Sequence, residues 1–244
     1  ILVARYLGPV QFGVFTYAVS LITLFAIAGH VGLSGLIVRE LSKYPDAKQE
    51  IMGTSFVLKG FGYLIGLILV MVFTLVTENV QSDEFWVILI LTATLLFQPF
   101  NVIDYWFQSR LEAKYTAIVN MTVRIIVSII KIALVFGGAH LILFAFANVI
   151  QAILAAIMLI IFYRYKSKLN LTTWRFSLIR AKELLSESWM SFVGSIFAII
   201  YLKVDQVMLK WLVGAEEVGI YAVAVTLSEV WYFVPAAIMA SFFP

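Results

Sequence analysis

The stretch LILFAFANVIQAILAAIMLIIFY, residues 141–163, decides the fold. It runs for 23 residues without an Asp, Glu, Lys or Arg. A helix rising 1.5 Å per residue needs about 20 apolar residues to cross the roughly 30 Å hydrocarbon core of a bilayer. The stretch therefore reads as a membrane-spanning helix. Six more stretches reach that length, at about 14–37, 52–76, 85–107, 115–136, 185–209 and 218–241. Membrane β-strands would instead be segments of about ten residues in strict alternation. Leu21-Ile22-Thr23-Leu24-Phe25-Ala26-Ile27 does not alternate. The expected fold is an all-α, polytopic transmembrane helical bundle.

Composition agrees. Of the 244 residues, 63% are hydrophobic and 13% charged, against about 45–50% and 25% in soluble domains. So few polar side chains cannot coat a water-exposed surface, which excludes a soluble enzyme, a disordered chain and a fibrous one. Cysteine is absent, so there is no disulfide framework and no thiolate metal site. The sequence carries no HExxH, GxSxG, Walker A or DxD motif, and its two histidines, His30 and His140, make neither a dyad nor a metal site. Neither a catalytic residue nor a cofactor is expected.

The net charge of +3 admits a nucleic-acid reading, which the placement of the charges removes. Arg39, Lys43 and Lys48 follow the first full span, Arg110 and Lys114 the third, and Arg164, Lys166, Lys168, Arg175, Arg180 and Lys182 the fifth. The opposite connections hold only Arg5 and Lys210, beside Glu78, Asp83, Glu84, Glu216 and Glu217. Eleven basic residues against two orient the chain by the positive-inside rule, with the first group in the cytoplasm. These cations are spread over three loops rather than one face, so nucleic acid is not an expected partner.

The chain opens on Ile1-Leu2-Val3-Ala4, without Met or a signal-peptide pattern, and ends at Pro244 directly after a span. Residues 1–7 read as the last turns of a helix leaving on the extracellular side, and the whole as a fragment of a longer transporter-like protein. The polar stretch from Arg164 to Ser186, with Trp174 and Phe176 among its basic residues, suits a helix lying in the cytoplasmic interface. It divides the chain into a first transmembrane lobe (1–163), an amphipathic linker (164–184) and the first two helices of a second lobe (185–244).

Seven ionisable residues fall within expected spans: Lys59, Asp104, Arg124, Lys131, Lys203, Asp205 and Glu229. Each costs about 2.5–3.5 kcal/mol at a helix centre, so they need partners or water. Asn120, Arg124, Ser128 and Lys131 are spaced 4, 4 and 3 apart and stack on one helical face. Two cations on one polar stripe, about 10 Å apart by helix rise, suit a wet surface that meets an anion; separate pairing with Asp104 or a carbonyl is the structural alternative. Gln98, Asn101, Asp104, Tyr105 and Gln108 form a second polar face beside Pro99. Proline frees the carbonyl of Leu95, a feature tolerated where neighbours or cavity water satisfy it. Such amides suit sugar hydroxyls, and equally suit ordinary contacts between helices. Asp205 and Glu229 are candidates for ion coupling, with pairing to a Lys of another helix as the alternative. Gly62 and Gly66 form a GxxxG pattern for close helix approach.

Several stretches carry a resemblance. Arg5-Tyr6-Leu7-Gly8-Pro9 with Phe12-Gly13, Glu183-Leu184-Leu185 with Ser188-Trp189, Asp205-Gln206-Val207-Met208-Leu209, and Val218-Gly219-Ile220-Tyr221 through Ser228-Glu229, Trp231-Tyr232-Phe233 and Pro235 resemble bacterial oligosaccharide flippases. These belong to the broad superfamily of multidrug, oligosaccharidyl-lipid and polysaccharide exporters. Met190 stands where that pattern has proline. The resemblance implies a two-lobed exporter fold in a bacterial cytoplasmic membrane, of which this chain holds the N-terminal portion. It also implies transport of undecaprenyl-diphosphate-linked oligosaccharide repeat units for O-antigen, capsule or exopolysaccharide, by alternating access and without bond cleavage.

On that reading Lys59, Arg124 and Lys131 are a cationic groove for the diphosphate, lined further by Gln98, Asn101, Asp104, Asn120 and Ser128. Partners would be the lipid-linked oligosaccharide, membrane lipids, a proton or sodium gradient, and polysaccharide polymerase or export proteins. A cation-coupled multidrug exporter of the same fold would favour an acidic groove. A membrane glycosyltransferase or polymerase would need a large polar outer loop, and a scaffold would leave the mid-span cations unexplained.

Overall fold

The computed structural model describes residues 2–168, 171–229 and 231, and among these the chain is helical with no strand. Ten α-helices follow in order: α1 (Leu2–Phe25), α2 (Ile27–His30), α3 (Ser34–Lys43), α4 (Lys48–Thr77), α5 (Asp83–Thr92), α6 (Val102–Ser109), α7 (Lys114–Phe136), α8 (Leu141–Ser167), α9 (Leu178–Leu212) and α10 (Ala215–Glu229). Six helical stretches among the described residues are long and apolar enough to cross a membrane: Leu2–Phe25, Pro45–Thr77, Asp83–Ser109, Lys114–Phe136, Leu141–Ser167 and Leu178–Leu212. The protein is an all-α, multi-pass membrane bundle. Of the stretch expected at 218–241, α10 holds the start, and residues 230 and 232–241 lie outside the described ones.

The span expected at 14–37 is corrected. Gly8, at φ 74° and ψ 172°, breaks α1 into segments 2–7 and 9–25, and Pro9 starts the second where a missing N–H costs nothing. The helix then ends at Phe25. Val31 and Gly32 take positive φ, 48° and 62°, and separate α2 from α3. Gly32 is required there: a Cβ on it would lie 2.4 Å from the Phe192 backbone nitrogen of α9.

Two apolar cores hold the bundle. One gathers Tyr17, Leu21, Val87, Ile88 and Phe144 toward the outer side. The other gathers Ile37, Ile51, Val102, Phe107, Val119 and Tyr163 toward the side carrying most basic residues. The Gly62/Gly66 pair brings α4 against the preceding strand of helix: a Cβ on Gly62 would meet the Ala28 carbonyl oxygen at 2.1 Å, and one on Gly66 the Phe25 carbonyl oxygen at 2.6 Å.

The linker departs from the expected interfacial helix. Within it α8 continues to Ser167, Leu171–Thr173 form a 3-10 turn, a short non-helical strap follows, and α9 has already begun at Leu178. Trp174 turns into the bundle, donates from Nε1 to the Tyr163 hydroxyl at 3.1 Å, and packs on Phe56. The Arg175 N–H donates to the Gln49 carbonyl at 3.1 Å, over Gly53, where a Cβ would sit 2.5 Å from the Arg175 carbonyl oxygen. An indole with a satisfied N–H gains more by burial than by lying on the surface, which draws the strap inward.

Helix α9 is fastened to the preceding helices at both ends. Toward its N-terminal end Arg39 pairs with Glu187, and Arg180 reaches Glu40 at 3.5 Å. Near the opposite side Ser20 donates to Gln206, Lys210 holds both carboxylate oxygens of Glu84 at 2.8 Å, and Trp211 donates to the Tyr17 hydroxyl, which donates to Glu78. Burial pushes the Glu78 carboxyl above the usual carboxylate range, and the charge of Glu84 adds to the shift.

Candidate functional site: an amide-lined cavity

Pro99 shapes the site. Without its N–H the α-helical pattern cannot continue, and the span becomes a nine-residue 3-10 helix, Ala93–Asn101, between α5 and α6. Runs of 3-10 helix beyond three or four residues are uncommon, and residues three apart eclipse in them. Leu95, Gln98 and Asn101 therefore stack in one line, and all three face a cavity of about 450 Å³. That volume is in the range of small-ligand pockets.

On α8 the lining residues fall between those of the two cores: Phe144 and Ala145 belong to one core, Leu159 and Tyr163 to the other, with Asn148, Gln151 and Ala155 on the cavity between them. Thr23 of α1, His30 of α2, Tyr63 of α4, Thr94 of the 3-10 helix and Asn120 of α7 add polar groups. The wall holds five amides and no Asp, Glu, Lys or Arg. The Asn101 Nδ2 donates to Gln98 Oε1 at 2.7 Å, leaving that pair one amide oxygen and one amide nitrogen for a guest.

The cations stand just behind or beside this wall. Lys59 is 1% exposed; it donates to the Tyr105 hydroxyl at 3.2 Å and lies 5.7 Å from the ring centre of Tyr63, which lines the cavity. Lys131 donates from Nζ to Asn148 Oδ1 at 2.7 Å. Arg124 is exposed and makes no hydrogen bond or ion pair among the described residues. On α7 at about 100° per residue, Val119, Val123 and Val127 form the buried row and Ile118, Met121, Ile125, Ile129 and Ile132 the exposed apolar row. The stripe of Asn120, Arg124, Ser128 and Lys131 lies in the sector between, roughly 90° from the one and 110° from the other.

Of the residues singled out in the sequence, Gln98, Asn101 and Asn120 come together on the wall. Asp104 does not: where α6 resumes, it turns away and accepts from Gln108 at 2.9 Å, while Tyr105 goes to Lys59. Ser128 is exposed and outside the cavity. Asp205 accepts from the Tyr221 hydroxyl and is remote from the wall; Glu229 is exposed at the end of α10. Asn148, Gln151 and His30 were missed as site residues. Two amides three apart inside a 23-residue uncharged span were the available signal for the first two. His30 packs edge-on to Tyr63 at 6.1 Å.

The whole chain, residues 1–244, matches the family described as "Polysaccharide biosynthesis protein". The chain belongs to this family. Neither a curated protein nor a solved structure gives a significant match. Membership agrees with the resemblance read in the sequence and gives the bundle a role in polysaccharide biosynthesis, as a flippase or transporter.

Proposed function

We propose that the protein flips undecaprenyl-diphosphate-linked oligosaccharide repeat units across the bacterial cytoplasmic membrane, by alternating access and without breaking a bond. One observation carries this reading: a cavity walled by amides among the membrane-spanning helices, with Lys59 and Lys131 bonded behind it and Arg124 exposed one turn along α7 from the cavity-lining Asn120. Amides offer paired donors and acceptors to sugar hydroxyls. The cations lower the cost of bringing a diphosphate into a low-dielectric region, and the prenyl tail stays in lipid. Asp205 and Glu229, in the helices that follow the strap, are the proposed coupling groups for a proton or sodium gradient.

A cation-exporting pump of the same superfamily calls for carboxylates, and the wall has none. The test is reconstitution of the complete protein in liposomes. The expected result is delivery of fluorescent undecaprenyl-diphosphate oligosaccharide to the opposite leaflet, with no accumulation of the cationic dye ethidium. Dye transport without lipid translocation would reverse the assignment.

A further inference from the structure

The bond between Lys131 and Asn148 fixes more than a contact. An ammonium group only donates, and an asparagine side chain has one acceptor oxygen. Once Nζ occupies Oδ1 at 2.7 Å, the amide nitrogen of Asn148 and its two N–H groups point away from Lys131. Asn148 itself lines the cavity. The cation thus stands outside the wall, and its effect at the wall is to hold the Asn148 amide in one of two orientations. Gln151 lies on the same face of α8, and the Gln98–Asn101 pair stands elsewhere on the wall.

We propose that this cavity is a sugar subsite, that it holds the uncharged part of the headgroup rather than the diphosphate, and that Lys131 is a positioning residue presenting the Asn148 N–H groups to sugar oxygens. This rests on the flippase reading and assigns parts of the ligand within it. A phosphate inside the wall would meet no cationic side chain there; the exposed Arg124, one turn from Asn120 on α7, is the cation left free to meet it. A sugar carboxylate would be equally unpaired, so the subsite takes neutral sugars bearing hydroxyl or acetamido groups. A donor withdrawn from water and left without a partner is costly, so a correctly held amide discriminates between a lipid that carries sugar and one that does not.

The test compares two probes on the complete protein in nanodiscs: lipid-linked repeat unit purified from the producing cells, and undecaprenyl diphosphate without sugar. Wild type is expected to prefer the sugar-bearing lipid by roughly tenfold or more. Asn148→Asp keeps and strengthens the contact with Lys131, so the thermal midpoint should hold, yet it removes both N–H donors. That variant is expected to lose most of the tenfold preference. Lys131→Met, which releases the amide to rotate, should lose part of the preference, and gives the answer should the aspartate variant not fold. Preference retained in either folded variant overturns the subsite. A wild type that binds neither probe overturns the flippase reading along with it, whereas a wild type that binds both equally overturns the subsite alone.

Discussion

Cells carrying the complete protein with Arg124 and Lys131 both replaced by Ala are expected to lose surface polysaccharide while the protein still inserts in the membrane. Arg124 supplies the headgroup with a charge-assisted contact worth about 1.5–3 kcal/mol, and Lys131 adds what it contributes by holding Asn148. Since about 1.4 kcal/mol is a factor of ten, the pair should reduce transport roughly tenfold or more. Neither side chain bonds a carboxylate among the described residues, so the substitutions leave no buried anion unpaired. Arg124→Lys, which keeps charge and loses the planar fork, should fall between wild type and the double variant. Surface polysaccharide is read by immunoblot beside membrane fractionation. Normal polysaccharide in the double variant would remove the cationic edge from the account.

The second large effect concerns folding. Helices α1 and α10 cross at Gly13 and Gly219, so closely that a Cβ on Gly13 would lie 1.7 Å from the Ala215 carbonyl oxygen and one on Gly219 would lie 2.0 Å from that of Pro9. Backbone atoms meet there on both sides, with no flexible side chain to give way. Gly13→Ala or Gly219→Ala must push the helices apart, and overpacking of this kind costs about 1–3 kcal/mol or more. In detergent each variant should show a lowered thermal midpoint or a loss of monodisperse protein. Gly35→Ala is the control: it sits in α3 with open space around the added methyl, where alanine stabilises a helix by about 0.5–1 kcal/mol. A drop at Gly35 equal to that at Gly13 would mean that the crossing is not what the glycines serve.

How far the sequence could be read follows from which forces act locally. A run such as 141–163 must lie in lipid whatever its neighbours do, because no other environment satisfies its backbone and side chains together. Polar residues inside such runs stand out for the same reason, which is how Gln98, Asn101 and Asn120 were found. What was lost depends on contacts distant in sequence. Gly13 and Gly219 are lone glycines, given meaning only by each other. The break between α2 and α3 belongs to the packing of Gly32 on α9. Trp174 suits a membrane surface as well as a core, and only Tyr163 and Phe56 decide for the core. Asp104 stands three α-helical residues past Asn101, about 60° off the line that Gln98 and Asn101 share, and there Gln108 takes its carboxylate.

The measurement closest to the central claim is photocrosslinking from the cavity itself. A benzophenone side chain in place of Gln151, which lines the wall, and another in place of Phe146, which is exposed and lies outside the cavity, would be illuminated in membranes that make the lipid-linked oligosaccharide. Mass spectrometry then reads which part of the lipid is attached. Adducts on sugar atoms from position 151, absent from position 146 and depleted when Arg124 and Lys131 are Ala, are the expected result. Sugar adducts equal at the two positions, or none at 151, would contradict it.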